Sequence, residues 1–341
     1  MGKRFSYSLI GAAVALSILS CTKSPVPEAS SPTKMLVSFD VKTSAQTKMA
    51  PSPTSAQEEA INKLAILIYN GTNLETYFES TEETSTVFAL EPGTYNVAAI
   101  ANYPVSFSPS SATSLSTLRE TASYLDDNSV GNLVMYGESS VTVTRSANER
   151  KYINIRRMVA KLGVKKITVN FTSPVVADRE FVLRKIYVTN AFRRSKFAGT
   201  VVPAATTSLW YNRMGYASSP KNDLLADASI NVAVAQGSSY STEHYFYCYE
   251  NTITASGDSN SFAWSPRCTR LVIEATVGSE TYYWPITIPN IARNRTYFAS
   301  EVIIKKLGSV SPDVFVPESA DVEFYESVND WDDTYDFVET F

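Results

Sequence analysis

Hydrophobic and polar positions begin to alternate at residue 35. In "MLVSFDVK", Met35, Val37, Phe39 and Val41 alternate with Leu36, Ser38, Asp40 and Lys42, the period of a strand with one buried face. The following "TSAQTKMAPSPTSAQ" has no such period: it is small and polar, with two prolines and a lone Lys48. From residue 62 strand patterns return at short intervals in "NKLAILIYNG", in "STVFALEPGTYNVAAIAN" around a Pro92-Gly93 turn, in "VTVTR" and in "KYINIRRMVAKLGVKKITVNF". Leu115, Leu118, Ala122 and Leu125 fall instead at helical spacing, with Ser114 and the Thr117/Glu120 pair as competing N-terminal caps. The second half repeats the strand style in "EFVLRKIYVTNA", "EHYFYCYEN", "TRLVIEATV", "TYYWPITIP" and "RTYFASEVIIKKLG". Many short strands with one packed helix predict an all-β chain built from β-sandwiches. The polar shift in "TVNFTSPVVADRE" puts a boundary between an N-terminal domain, 35–170, and a C-terminal domain, 171–341. The tail "ADVEFYESVNDWDDTYDFVETF" adds a last alternation, Val322/Phe324 and then Tyr335/Phe337/Phe341.

Upstream of the first strand the pattern is different. Lys3 and Arg4 precede an apolar run from Leu9 to Leu19, too short for a membrane helix, which needs about twenty residues. This reads as an export signal over residues 1–20. Ile18-Leu19-Ser20-Cys21 is similar to a bacterial lipobox, which would make Cys21 the lipidated first residue. The Pro- and Ser-rich stretch 21–34 then reads as a flexible to extended tether.

Composition narrows the function. The chain has 44% hydrophobic residues, 20 Tyr and 16 Phe, and a net charge of −4, so it carries no basic footprint for nucleic acid. His244 is the single histidine, which argues against a His-based triad or metal cluster, and no glycine loop has phosphate-cradle spacing. Carboxylate pairs at Glu58-Glu59, Glu82-Glu83 and Asp126-Asp127 read as solvated charges. Asp330, Asp332, Asp333 and Asp336 lack the glycine and glutamate of a calcium loop. The basic "AFRRSKF", 191–197, reads as a solvated loop. Cys248 and Cys268 either pair after export or stay as buried free thiols. The expectation is a protein without catalytic residue, metal or cofactor.

The order of these motifs resembles the type V pilins, the fimbrillins of anaerobic Gram-negative bacteria, over essentially the whole length of the chain. "NKLAILIYNG" and "LEPGTYNVAAIAN" are similar to the early strands of the family's N-terminal domain, and "NLVMYGES" and "IRRMVAKLGVKKI" to its close. "FVLRKIYVTNA", "YFYCYEN", "YYWPITI" and "IARNRTYF" are similar to landmarks of the second domain. The resemblance implies two transthyretin-like β-sandwich domains, export as a lipoprotein, and delivery to the outer membrane and then the fimbrium, with a role in adhesion. It implies that a trypsin-like maturation protease cuts between Lys48 and Met49, with Lys34 and Lys42 as competing sites. The cut would release 35–48, and with it Met35, Val37, Phe39 and Val41. The groove would then receive a donor strand from residues 321–341 of another pilin subunit, with Val322, Phe324, Tyr335, Phe337 and Phe341 as its apolar side chains. The receptor on a host or bacterial surface is left unknown. An accessory subunit at the tip or anchor is the alternative within the family. A glycan-binding surface lipoprotein using Trp210, Tyr211 or Trp264 is the alternative outside it.

Overall fold

The computed structural model describes residues 34–43, 55–145, 149–199, 201, 206–213, 223–254, 266–313, 323–327 and 334–340. The first half contains β1 (Met35–Thr43), the helical turn α1 (Ser55–Glu58), β2 (Leu64–Asn70), β3 (Asn73–Ser80), β4 (Ser85–Leu90) and β5 (Gly93–Ala101). Helix α2 (Leu115–Glu120), β6 (Ala122–Tyr124), β7 (Met135–Val143) and β8 (Glu149–Arg157) follow. Seven of the strands hydrogen-bond in the order β3-β2-β5-β7-β8-β1-β4.

The sequence of β2 shows why this sheet is buried on both sides. Leu64, Ile66 and Ile68 share a core with Val37, Phe39 and Val41 of β1. The intervening Ala65, Leu67 and Tyr69 belong to a second core, together with Leu115 and Leu118 of α2. A strand with apolar neighbours on both faces reads as a continuous hydrophobic run. β1 and β8 have one wet face and keep the alternation. Gly71, at φ +60°, makes the tight turn from β2 to β3. The helix is shorter than its periodicity predicts. Ser114 caps it, its side chain accepting from the Thr117 amide at 3.1 Å, and residues 122–124 leave it to pair as β6.

The chain enters the second sheet system at Met158. There β9 (Val159–Val164) and β10 (Ile167–Val169) precede β11 (Phe181–Thr189). Short strands β12 (Ala191–Phe192), β13 (Arg194–Lys196), β14 (Trp210–Tyr211), β15 (Ala226–Asp227), β16 (Val232–Ala233) and β17 (Ser239–Tyr240) come next. The long strands β18 (His244–Tyr249), β19 (Thr269–Val277), β20 (Glu280–Ile288) and β21 (Thr296–Ile304) complete the body, and β22 (Glu323–Ser327) and β23 (Thr334–Thr340) form the tail. β11, β19 and β20 make one antiparallel sheet; β18, β9, β10 and β21 lie in the other. Leu183 and Ile186 of β11, Ile273 of β19, Leu162 of β9 and Val302 of β21 lie in one continuous core between them. The protein is an all-β sandwich fold. The change of sheet falls before residue 171, because the polar stretch after β10 is a turn inside the second sandwich.

The two halves are stapled together. β6 pairs antiparallel with β13, Ala122 opposite Lys196. At the hub the Tyr249 hydroxyl lies 2.7 Å from Ser123 Oγ, accepts from Asn128 Nδ2 at 2.9 Å and donates to the Tyr124 carbonyl at 3.1 Å.

Candidate assembly site: the first strand and its groove

β1 is an interior strand. It runs antiparallel to β4, with Val37 opposite Phe88, and parallel to β8, with Phe39 opposite Lys151 and Val41 opposite Ile153. Its inward residues are nearly sealed: Val37 and Phe39 are 0% exposed and Val41 7%, while Met35 packs half-buried against the same core. Burying four such side chains is worth roughly 6 to 12 kcal/mol, at 1.5 to 3 each. That core contains no residue from beyond β8.

The outer face adds polar ties to β8. Arg150 grips Asp40 with Nε to Oδ2 at 2.5 Å and Nη2 to Oδ1 at 2.9 Å. The hydrogen bonds from this guanidinium, helped by its charge and that of Lys42, hold the Asp40 carboxyl below its usual range against the opposing effect of desolvation. Lys42 Nζ sits 3.9 Å above the Tyr152 ring. Leu36 stands 54% exposed.

Downstream of the link, α1 is held tightly. Glu58, only 3% exposed, receives Lys161 Nζ of β9 at 2.8 Å and the Tyr247 hydroxyl of β18. Its carbonyl accepts from Arg157 Nε at 3.0 Å. The sequence reading of Glu58 as a solvated charge is therefore wrong. No local pattern announces a partner more than a hundred residues away.

At the other end of the chain, β23 lies parallel to β21, and β22 folds back on β23 with Phe324 opposite Phe337 and Glu326 opposite Tyr335. The tail leaves from a fixed root. Asp313 is 7% exposed, receives Arg267 Nη1 at 2.8 Å, and its carbonyl accepts from Arg270 Nη1 at 2.8 Å.

The remaining candidates fall into place individually. Cys21, Lys48, Met49, Val322, Trp264, Asp330, Asp332, Asp333 and Phe341 lie outside the described residues. Cys248 and Cys268 are free, buried thiols and not a disulfide; burial pushes both thiol pKa values up. His244 Nδ1 lies 3.1 Å from Asp227 and Nε2 lies 2.9 Å from the Tyr240 hydroxyl, with its pKa lowered by burial despite the carboxylate. The segment 191–197 is not a solvated loop: Phe192 and Phe197 are buried, Arg193 meets Asp126 at 2.8 Å and Lys196 meets Glu120 at 2.5 Å. Its charges face carboxylates of the first half across the staple. Trp210 and Tyr211 are buried at 5% and 2% exposure, so neither offers an open aromatic platform. Among the described residues no group of His, Cys, Asp and Glu is placed to hold a metal ion.

Residues 33–176, the span from just before β1 to just beyond β10, match the family model of the major fimbrial subunit protein (FimA). The fold is shared with a fimbrilin from Porphyromonas gingivalis, at 15% identity and TM-score 0.57, over 90% of this chain and 98% of that one. It is shared equally with candidate cell adhesion proteins from two other organisms. One, from Bacteroides eggerthii, has 16% identity and TM-score 0.60 over 90% of this chain and 98% of that one. The other, from Parabacteroides distasonis, has 19% identity and TM-score 0.57 over 84% and 92%. No curated protein matches the chain. The N-terminal segment thus resembles the major fimbrial subunit family in sequence, and the chain shares its fold with a fimbrilin.

Proposed function

We propose that the chain is a structural, non-enzymatic subunit of a type V pilus at the cell surface, supporting adhesion. It is exported as a lipoprotein on Cys21, matured by a cut between Lys48 and Met49, and polymerised by donor-strand exchange. Residues 35–48 act as a plug, and residues 321–341 of a neighbouring subunit replace it. The observation that carries this reading is the position of β1 between β4 and β8, in a core separate from that of the second half. Removing it would leave two strands with unpaired backbone groups and a row of apolar pockets, while the second sandwich keeps its own core. An added strand restores both the hydrogen bonds and the side-chain contacts.

The outer-membrane anchor rests on Cys21, and the shaft role on the presence of the tail. A strain whose only copy ends after Pro317 tests the scheme by electron microscopy. The expected subunit folds, is cut, and gives no extended fibres; normal fibres would place the donor strand elsewhere. Fatty-acid labelling that persists in Cys21→Ser would overturn the lipoprotein step.

A further inference from the structure

The groove has one charged wall, and the outgoing strand already shows how it is read. β1 contains one acid, Asp40, and one base, Lys42, and is neutral. On the wet face of β8 stand Arg150, beside β1, and Arg156, just beyond the paired stretch, whereas Lys151 meets Glu149 at 2.7 Å and Arg157 is buried against Glu58. Arg150 grips Asp40 through two parallel hydrogen bonds, the forked geometry by which a guanidinium selects a carboxylate. When β1 leaves, Asp40 leaves with it. Residues 321–341 carry five Asp and three Glu with no Lys, Arg or His. The opposite wall repels acids, because Glu82 and Glu83 precede β4 and Glu91 follows it. The attraction is therefore confined to the β8 side.

We infer that Arg150 is a specificity residue of the groove, taking a carboxylate from the acidic tail of a second copy in the place Asp40 vacates. The inference rests on the donor-strand reading above. In the parallel register Ser38 stands opposite Arg150 and Asp40 opposite Tyr152, so the grip is a diagonal contact along the wet face. A one-residue slip turns every side chain of a strand to the other face. Arg150 therefore checks register as well as charge. The tail brings no cation to replace Lys42 over Tyr152, so Arg150 is the polar contact that plug and tail can share.

The test uses the full chain without its signal, nicked by trypsin and freed of its 35–48 fragment, and two fluorescent peptides. One peptide is residues 321–341; the other has each acid replaced by its amide. Arg150→Gln should weaken the acidic peptide about threefold to fivefold, as expected for a well-formed exposed ion pair. It should leave the amide peptide unchanged, and the difference should vanish in about 1 M salt. Equal loss for both peptides, or no loss for either, overturns the role of Arg150 while leaving strand exchange standing. Failure of both peptides to bind the nicked wild type overturns the donor-strand reading and this inference together. Arg150 has a largely exposed side chain, and the melting curve of the uncut variant establishes that it folds.

Discussion

Phe39 of β1 and Phe88 of β4 meet edge to face, ring centroids 5.7 Å apart and planes inclined at 74°. The pair lies diagonally across the β1–β4 ladder, since Phe39 is opposite Thr86 and Val37 opposite Phe88. Phe39 is fully buried, so Phe39→Ala should cost about 3 to 5 kcal/mol of stability. All four tryptophans lie in the second half of the chain, beginning at Trp210. The denaturation midpoint followed by far-UV circular dichroism should therefore fall further than the midpoint followed by tryptophan fluorescence. After nicking, the variant should also release its 35–48 fragment faster, because the lost contacts act on the dissociation rate.

The link should be cut at Lys48 and the strand spared at Lys42. A protease needs an unpaired, extended backbone, whereas Lys42 is paired opposite Asn154 in β8 and its ammonium is stacked on Tyr152. On this argument Lys42 is a poor competitor. Lys34 is exposed, yet cutting there removes the tether and leaves β1 in place. Mass spectrometry of the native chain after brief trypsin treatment should find its first cut inside β1's own flank at Lys48. Lys48→Ala should slow cleavage without diverting it to Lys42.

The sequence made some of this legible because the signals were local. The alternation of Met35 to Val41 shows in the chain and in the burial of Val37, Phe39 and Val41. The Pro92-Gly93 signal falls where β4 gives way to β5, Pro92 in the link and Gly93 as the first residue of β5. What stayed hidden depends on pairing across distance. Residues 191–197 look like a basic loop until Asp126 and Glu120 are brought opposite them. Helix α2 stops early because β13 claims residues 122–124. Glu58 looks like any exposed glutamate until β9 brings Lys161 to it. Polar partners far apart leave no periodic trace, so the apolar framework was readable and the staples were not.

Acid should loosen the plug through Asp40. Its folded-state pKa is depressed, chiefly by the bond from Arg150, so its contribution is present above the ordinary aspartate range and lost as pH falls through the folded value. Release of the 35–48 fragment from nicked protein should therefore quicken on acidification below that range. Glu149, pushed down to about 2 by bonds from Lys151 and Thr144, titrates only at the acid end. Asp40→Asn should flatten the acid-dependent part of the release rate; an unchanged profile would assign it to another group.

Neither thiol should react in the native protein. Burial raises the pKa of Cys248 and of Cys268, and the thiolate is the reactive form. Iodoacetamide at mildly alkaline pH should label neither residue before unfolding and both after it, without a reducing agent. Absence of labelling in denaturant would mean that the exported protein carries the disulfide.

The buried pair Glu58–Lys161 gives the sharpest test of what holds the end of the link. Both side chains are nearly sealed, at 4% and 6% exposure, with 2.8 Å between Oε1 and Nζ. Removing one partner leaves the other's charge buried and uncompensated, so Glu58→Ala should cost about 3 to 5 kcal/mol. Replacing both, Glu58→Leu with Lys161→Met, substitutes apolar volume for the pair and should recover most of that loss. The Tyr247 hydroxyl, which also meets Glu58, would then be stranded, so Tyr247→Phe should complete the recovery. Urea denaturation of the single, double and triple variants measures each step. A double variant as unstable as Glu58→Ala alone would show that the uncompensated Lys161 charge is not the source of the loss.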